Sequence, residues 1–392
     1  MTLFLILWLC AQAVAAALVL AYGVGLEPVA PQGPAPRVAV LVAVKGRDPE
    51  FDEFLARLFA QEYPDFRVIF AVETADDPAL GGIEPYRLAH PDRVTVVVAG
   101  LGADEGQKTT NLIAGIDALR PEDEILVLAD ADIWPQRDWL RRLVAPLVRG
   151  TADIVTGFPW LVVKDGKVSS YILTSLAASV ATIPRLPLLN GVWGGTAALR
   201  QEHFQALDMR RHWRGTLSDD LQLTNVAQAC GDRIAVPREM LLRTALHTSG
   251  FGEIIAEARR WYMLVRIHMP IAYFGTVIAM SFGALGWILA IVGTIAGRGD
   301  AAAVLALAVL VSAARTLGRY RLVRALWGEA GVAENLSFLR IDWLIAPLAV
   351  TLNALCGWSA LFLHRTTWAG TTYEIHGPQR VKVISRRGTP HV

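Results

Sequence analysis

The sequence lacks the features of disulfide-rich, thiolate-metal and nucleic-acid-binding proteins. Only three cysteines occur among 392 residues. Cys10 and Cys356 lie in apolar segments and Cys230 stands alone, so no disulfide framework or thiolate metal site is visible. Lysine and arginine (37) balance aspartate and glutamate (36), and no long basic run is interleaved with aromatics. Nucleic acid is therefore not an expected partner.

Long apolar segments are present instead. Hydrophobic residues make up 53% of the chain, and the mean hydropathy is +0.38. Residues 3–26 are almost uncharged and have the length that a hydrocarbon core of about 30 Å requires. A cleaved signal peptide is the alternative, but no Lys or Arg precedes this run and the run is too long. We therefore expect residues 1–26 to be an uncleaved transmembrane anchor.

A second apolar group lies near the C-terminus. Residues 270–297 and 301–314 predict a helical hairpin around the turn Gly297-Arg-Gly-Asp300, its second arm being long enough if it continues toward Leu317. Residues 343–363 predict a further span. The expected membrane region is therefore 270–364, and with the anchor it gives about four transmembrane helices.

Basic residues flank the polar block that lies between these apolar groups. Arg37, Lys45 and Arg47 follow the anchor, and Arg259 and Arg266 precede the second span. By the positive-inside rule the block faces the cytoplasm, and a composition rich in Ala, Arg and Val favours a bacterial inner membrane.

The basic C-terminal tail, residues 365–392, does not fit the positive-inside rule with the expected number of spans. It would face outward if residues 343–363 cross the membrane once. Either the tail is an exception to the rule or one apolar segment is re-entrant.

The polar block alternates predicted strands and helices. After a linker at 27–36 with four prolines, we predict strands at 38–44, 66–72, 94–98 and 125–129 and helices at 49–61 and 107–119. This alternation predicts an α/β domain over residues 37–250 with a Rossmann-like, mainly parallel sheet. Gly157-Phe-Pro159 and the loop 191–195 are predicted active-site loops, and residues 251–269 are predicted to form an amphipathic helix at the membrane surface.

Two acidic clusters lie about ninety residues apart in the block. Asp130 and Asp132 follow a buried strand, where open α/β sheets bind ligands. Two such carboxylates suit Mg²⁺ or Mn²⁺ bound together with a diphosphate. Asp219 and Asp220 open a helical pattern after Ser218, which could be a simple cap. Two adjacent carboxylates also fit a pair in which Asp220 takes a proton from an attacking hydroxyl.

Two further groups are candidates for binding. Asp76 and Asp77 precede a proline, which is typical of a turn, and a carboxylate here could also bind a nucleoside. Arg260 and Trp261 lie on the predicted surface helix, where a basic amphipathic face alone would explain the arginine. An arginine can also neutralise a departing diphosphate, and an indole can line an acceptor pocket.

In their order along the chain, these motifs resemble the ceramide glucosyltransferase family, a membrane branch of inverting GT-A-type glycosyltransferases. Hopanoid-type glycosyltransferases are close to this family. The resemblance covers about residues 37–270 and extends more weakly to the tail. Its motifs are Lys45-Gly-Arg-Asp-Pro49, Asp76-Asp-Pro-Ala79, Lys108-Thr-Thr-Asn-Leu112, Asp130-Ala-Asp132, Asp220, Arg260-Trp261 and Trp368-Ala-Gly-Thr-Thr-Tyr373. Two positions depart from the family: Glu257 stands where its signature has Gln or Arg, and Thr74 where it usually has its first aspartate.

The resemblance implies transfer of a sugar, glucose by expectation, from a UDP-sugar to a ceramide-like lipid hydroxyl in the bilayer. Asp220 would be the base, Trp261, Asp219 and Gly194 would contact the acceptor, and Asp130 and Asp132 would hold the metal. The implied donor-binding residues are Lys45, Asp76, Asp77, Lys108, Asp130 and Arg260.

Several alternatives remain open at this point. The acceptor could be a hopanoid, a diacylglycerol or a polyprenyl phosphate, and the donor could be UDP-GlcNAc or UDP-glucuronate. A non-catalytic nucleotide-sugar-binding membrane protein or a permease is the alternative of another class. A permease would carry ionisable residues inside its apolar spans, and the predicted spans are nearly free of charge.

Overall fold

The computed structural model describes residues 1–26, 33–183, 185, 190–248 and 250–386. Much of the predicted linker, residues 27–32, lies outside them. The helices are α1 (Thr2–Tyr22), α2 (Phe51–Phe59), α3 (Ala79–Ala89), α4 (Gln107–Ile116), α5 (Trp139–Val148), α6 (Val168–Ala181), α7 (Gln201–Ala206), α8 (Met209–Trp213), α9 (Asp219–Cys230), α10 (Phe251–His268), α11 (Pro270–Ile295) and α12 (Gly299–Ser359), with short 3₁₀ helices at Arg238–Met240 and Ala360–Phe362.

The strands are β1 (Val38–Val44), β2 (Phe66–Val72), β3 (Val94–Val98), β4 (Ile125–Ala129), β5 (Ile133–Trp134), β6 (Ile154–Thr156), β7 (Phe158–Val163), β8 (Thr196–Arg200), β9 (Ile234–Ala235), β10 (Leu241–Leu246), β11 (Arg365–Trp368), β12 (Thr371–Ile375) and β13 (Val381–Arg386). Among the described residues the main sheet has the order β3-β2-β1-β4-β8-β6-β9. β1 to β4 pair in parallel, whereas β8 runs antiparallel to β4 and β6. The structure therefore confirms an α/β fold with a mainly parallel sheet.

Burial on both faces explains the uninterrupted apolar strands. In β1, Val38, Val40 and Val42 pack on one side of the sheet, while Ala39 and Leu41 pack on the other. A strand covered on both faces needs apolar residues at every position, which is why the sequence shows continuous runs here. β2 and β4 flank β1, so Lys45, Glu73 and Asp130 all follow neighbouring strand ends.

The predicted catalytic domain, residues 37–250, is called the catalytic block below. A second sheet, β5-β10-β7, connects it to the apolar helices. The prediction of a loop at Gly157-Phe-Pro159 was wrong for its last two residues. Phe158 and Pro159 begin β7, where they pair with Leu241 and Leu242 of β10. Gly157 packs against the end of the 3₁₀ helix that precedes β10, since an added Cβ would clash with the Met240 carbonyl oxygen.

Three helices in the described part of the chain are long and apolar enough to cross a membrane: α1, α11 and α12 with its 3₁₀ extension to Phe362. α1 packs on the other two, with Trp8 against Trp287 and Gly23 against Leu322. The hairpin predicted around residues 297–300 is present, since α11 ends at Ile295 and α12 begins at Gly299.

The four expected spans fall within these three elements. The third and fourth predicted spans lie in α12, whose backbone breaks at Gly328 (φ 64°, ψ −161°). Near the start of the arm after Gly328, Glu334 pairs with Lys164 and Arg243 of the catalytic block. Just beyond the end of this arm, the Leu363 carbonyl accepts from Arg266 of α10. The number of membrane crossings and the re-entrant alternative stay predictions.

A buried ion pair holds the two arms of α12 together. Nη1 of Arg319 in the first arm lies 2.6 and 2.7 Å from the two carboxylate oxygens of Asp342 in the second, and both side chains are fully buried. Thr316 and Ser175 also donate to Asp342. Removing one member of such a pair costs about 3–5 kcal/mol.

The tail forms a small sheet on the catalytic block. β11, β12 and β13 pair antiparallel, and the amides of Val381 and Val383 donate to the carbonyls of Gly215 and Ala103. The tail and the catalytic block therefore lie on the same side of the helices.

Candidate active site

Lys108 joins the two acidic clusters. It lies in the first turn of α4, and its Nζ is 2.7 Å from Asp130 Oδ1 and 3.3 Å from Asp219 Oδ1. Burial by itself lowers the pKa of Lys108, but Asp130, Asp219 and Asp220 together raise it above its ordinary value. Burial also raises the pKa of Asp219 to about 7, helped by the carboxylates nearby and opposed by Lys108. The structure thus places a permanent cation among three carboxylates.

Asp220 is held in a fixed orientation at the start of α9. One carboxylate oxygen accepts from the Ser218 hydroxyl and the Leu221 amide, and the other accepts from the Gly194 amide at 3.0 Å. Ser218 precedes the helix without capping it through its side chain, so its hydroxyl orients Asp220 instead. A half-buried carboxylate positioned by three donors is suited to accept a proton from a defined direction.

The loop 191–195 brings Gly194 into the same group. Its carbonyl accepts from Lys108 and its amide donates to Asp220. A Cβ at Gly194 would lie 2.9 Å from Lys108 Nζ and 3.2 Å from Asp220 Oδ2. Only glycine fits there without displacing one of these side chains.

The residues present suit a hard divalent cation bound together with a diphosphate. Asp130 is half-buried and Asp132 is exposed, so both carboxylates can be reached from solvent. No group of three or more His, Cys, Asp and Glu side chains in the described ranges is arranged to hold a metal alone. Mg²⁺ and Mn²⁺ bound through one or two carboxylates take their remaining ligands from water and phosphate oxygens.

The donor-side residues lie at the ends of β1 and β2. Lys45 Nζ is 2.7 Å from the Glu73 carboxylate. Asp77 is buried and accepts from the amides of Gly46 and Ala79, so it fastens the loop after β1 to the turn after β2. Asp76 is exposed in the same turn.

The tail contributes a residue that the sequence does not point to. Arg386 in β13 donates to Glu73 at 3.3 Å, to the Gln107 side chain at 3.0 Å and to the Gly102 carbonyl. Gln107 in turn donates to Asn111, whose amide group binds the carbonyls of Val44 and Ala71 at the ends of β1 and β2. Asn111 belongs to the motif at 108–112, but nothing near Arg386 in the sequence indicates a partner 313 residues away.

Arg260 and Trp261 form a separate group on α10. Arg260 pairs with Glu257, and its guanidinium lies 4.8 Å from the ring centroid of Trp368 in the tail. Trp261 packs beside Leu161 and Ile172. Within the described ranges neither side chain is hydrogen-bonded to the acidic clusters. Burial raises the pKa of Glu257 above its ordinary value, while Arg260 opposes this.

His268 is a second residue that the sequence did not single out. It ends α10, is 7% exposed, and its Nδ1 has no hydrogen-bond partner in the described part of the chain. Burial lowers its pKa to about 4, and the negative charge of Asp220 opposes this shift. A neutral imidazole therefore lies near Asp220, where Asn225 of α9 donates to the His268 carbonyl at the end of α10.

The family model described as glycosyl transferase family 21 matches residues 3–381. The chain therefore belongs to this family and is a glycosyltransferase. It is also 28% identical over 158 residues to a ceramide glucosyltransferase from Komagataella phaffii, a match that spans 39% of this chain and 30% of that protein. These matches confirm the family resemblance.

Solved structures with a similar fold include a mannosyltransferase from Pyrobaculum calidifontis in complex with GDP-Man and Mn²⁺. It is 20% identical, and the match covers 91% of this chain and 98% of that one with a TM-score of 0.47. Residues 1–349 of TarS from S. aureus with UDP-GlcNAc are 11% identical, with 90% and 100% coverage and a TM-score of 0.38.

Proposed function

We propose that the protein transfers glucose from UDP-glucose to the primary hydroxyl of a ceramide-like membrane lipid, with inversion at the anomeric carbon. The observation that carries the proposal is the meeting of Asp220, Lys108 and Asp130 at one site next to α10, which leads directly into the apolar helix α11. With these roles, the base and the diphosphate-binding group would lie beside the apolar helices. The family and the Komagataella relative support a ceramide-like acceptor.

In the proposed reaction the acceptor oxygen attacks the anomeric carbon as the bond from that carbon to the UDP oxygen breaks. Asp220 takes the hydroxyl proton, and UDP leaves with the bonding electrons. Since Ser218, Leu221 and Gly194 all donate to Asp220, its carboxylate is aimed before the acceptor arrives.

On the donor side, Lys108 lies where it can offset diphosphate charge, and Lys45 is placed to do so at the end of β1. Asp130 and Asp132 would hold Mg²⁺ or Mn²⁺, which when bound neutralises the charge of the diphosphate. Asp76 and Asp77 are the residues proposed to serve the nucleoside of the donor. Asp77 acts by holding Gly46 in place, and Asp76 is the exposed carboxylate of the turn.

We propose that Trp261, Asp219 and Gly194 contact the acceptor. Arg260 would stabilise the departing UDP once its guanidinium is shared between Glu257 and the diphosphate. The apolar helices support a reaction at a membrane surface. We propose the cytoplasmic face of a bacterial inner membrane on the basis of the flanking arginines and lysines.

The test is a product assay with purified protein in lipid nanodiscs. UDP-glucose, UDP-GlcNAc, UDP-glucuronate and GDP-mannose are each offered with ceramide, diacylglycerol, a hopanoid and a polyprenyl phosphate, with and without EDTA. Mass spectrometry should detect a hexosylceramide from UDP-glucose, and EDTA should abolish it. Transfer to another lipid at a higher rate would overturn the acceptor, and activity untouched by EDTA would overturn the metal.

A further inference from the structure

A polar cavity lies at the end of α1, apart from the acidic clusters. Its volume is about 600 Å³, and its walls come from α1, from α5 and from the 3₁₀ helix at Arg238–Met240. Leu18, Ala21 and Tyr22 contribute the α1 wall. Because α1 is apolar along its whole length, this end marks the boundary between the apolar helices and the catalytic block.

Among the residues that the structure describes, four arginines and one glutamate, Glu239, line this cavity. Arg142 and Arg149 come from α5 and its end, Arg185 follows α6, and Arg238 precedes β10. These elements are far apart in sequence, so the fold gathers the positive charge. Such a concentration favours an anion.

Two of the arginines are held by the protein itself. Arg238 donates to the carbonyls of Tyr22, Val24 and Gly25, which satisfies the free C-terminal carbonyls of α1. Arg142 pairs with Asp138 at 2.7 Å. The wall is therefore built around the helix end, with its guanidinium groups in fixed positions.

The other two arginines and Tyr22 have donor capacity left over. Arg149 is exposed. Arg185 donates one Nη to the Ala181 carbonyl, while its buried Nε has no hydrogen-bond partner in the described ranges. The hydroxyl of Tyr22 also lacks such a partner there, although the residue is only 5% exposed. An unsatisfied buried donor costs about 1–3 kcal/mol, and both Arg185 and Tyr22 line the cavity, so an acceptor that reached these two donors would stabilise them.

We propose that this cavity binds the phosphate headgroup of an anionic phospholipid. A phosphate ester accepts several charge-assisted hydrogen bonds from arginines and from a hydroxyl such as that of Tyr22. Basic pockets beside the ends of membrane helices bind the headgroups of anionic lipids. The neighbouring Leu18 is 43% exposed on α1 and offers an apolar surface along which an acyl chain can lie. A free phosphate would leave that surface unused.

The site does not depend on the proposed reaction. It predicts that an anionic lipid stabilises the protein through α1, whether or not the donor or acceptor is bound. A result that contradicts lipid binding at this cavity would therefore leave the proposed function untouched, and a result that contradicts the proposed function would leave the cavity untouched.

The experiment is thermal unfolding of the full chain in detergent, titrated separately with phosphatidylglycerol, phosphatidylcholine and inorganic phosphate. We expect a saturable rise in Tm with phosphatidylglycerol alone. Replacing two arginines in the double variant Arg149→Gln/Arg185→Gln should weaken the apparent affinity about thirtyfold. The matched control is Arg137→Gln/Arg211→Gln, two exposed arginines that do not line the cavity, and it should behave like the wild type.

Three outcomes would overturn the proposal: an equal rise with phosphatidylcholine, the same rise with inorganic phosphate, or an unchanged response in the double variant. If that variant does not fold, Tyr22→Phe removes only the unpartnered hydroxyl. Native mass spectrometry should then show less phosphatidylglycerol retained by Tyr22→Phe than by wild type. Equal retention would contradict the site.

Discussion

The ammonium of Lys108 lies 2.7 Å from a carboxylate oxygen of Asp130, and the same ammonium reaches Asp219 from the second acidic cluster. Two clusters about ninety residues apart in sequence are thereby one electrostatic unit. Their separate proposed roles, one for the donor and one for the acceptor, meet at a single lysine.

We expect Lys108→Met to destabilise the protein and abolish donor binding. The side chain is 15% exposed, and its loss leaves Asp130, Asp219 and Asp220 without their shared cation. The expected loss is about 3–5 kcal/mol of unfolding free energy, measured by thermal unfolding, and donor affinity is measured by calorimetry. Lys382→Met, at an exposed lysine of the tail, is the control. Unchanged melting and affinity in Lys108→Met would contradict the central role of this ion pair.

Gly194→Ala tests the close packing of the loop 191–195. The new methyl would lie 2.9 Å from Lys108 Nζ and 3.2 Å from Asp220 Oδ2, so one of them must move. We expect kcat to fall by about 10²-fold, because small misplacements of reacting groups have effects of this size. Gly191→Ala is a matched control in the same loop, since its methyl would make only ordinary contacts at 3.6 Å with Thr224. Equal activity in the two variants would show that the packing at Gly194 is unimportant.

Glu257→Gln introduces a residue that the family signature uses at this position. Glu257 pairs with Arg260, so its negative charge competes with a diphosphate for the guanidinium. Neutralising it should raise kcat/KM for the donor about threefold, the effect of a modestly strengthened interaction with a leaving group. Steady-state kinetics check this, with Glu253→Gln, an exposed carboxylate one turn earlier on α10, as the control. A fall in kcat/KM confined to Glu257→Gln would mean that Glu257 itself helps the reaction.

Arg386→Gln tests whether the tail positions the donor side. The change removes the ion pair with Glu73 and weakens the link to Gln107. The KM for the donor should rise about fivefold, which corresponds to about 1 kcal/mol, while the KM for the lipid stays unchanged. Arg380→Gln, at an exposed arginine of the same tail, should match the wild type. An equal rise in both KM values would indicate a general structural role instead.

The sequence predicted four strands to the residue. The bounds of β1, β2, β3 and β4 equal the predicted ranges. In β1 and β4 the reason is that a strand covered on both faces is a short, continuous apolar run between polar ends. Helix ends were less certain: α2 covers Phe51–Phe59 where 49–61 was predicted. End residues of a helix are fixed by local hydrogen bonds rather than by periodicity.

Long-range pairing had no local signal. Lys108 and Asp130 belong to motifs that the sequence singled out, but the contact from Lys108 to Asp219 depends on how α9 packs beside α4. The Arg386 contact with Glu73 and the break at Gly328 inside α12 also follow from tertiary packing.

The most direct test of the account is Asp220→Asn in purified protein. Asparagine keeps the shape of the side chain, but its neutral amide cannot take the acceptor proton. The variant should bind UDP-glucose within about twofold of the wild type while hexosylceramide formation falls by about 10³-fold, the range expected for a lost general base. Asp117→Asn, at an exposed aspartate paired with Arg210, is the control. Sugar transfer by Asp220→Asn at the wild-type rate, with donor binding intact, would show that Asp220 is not the base.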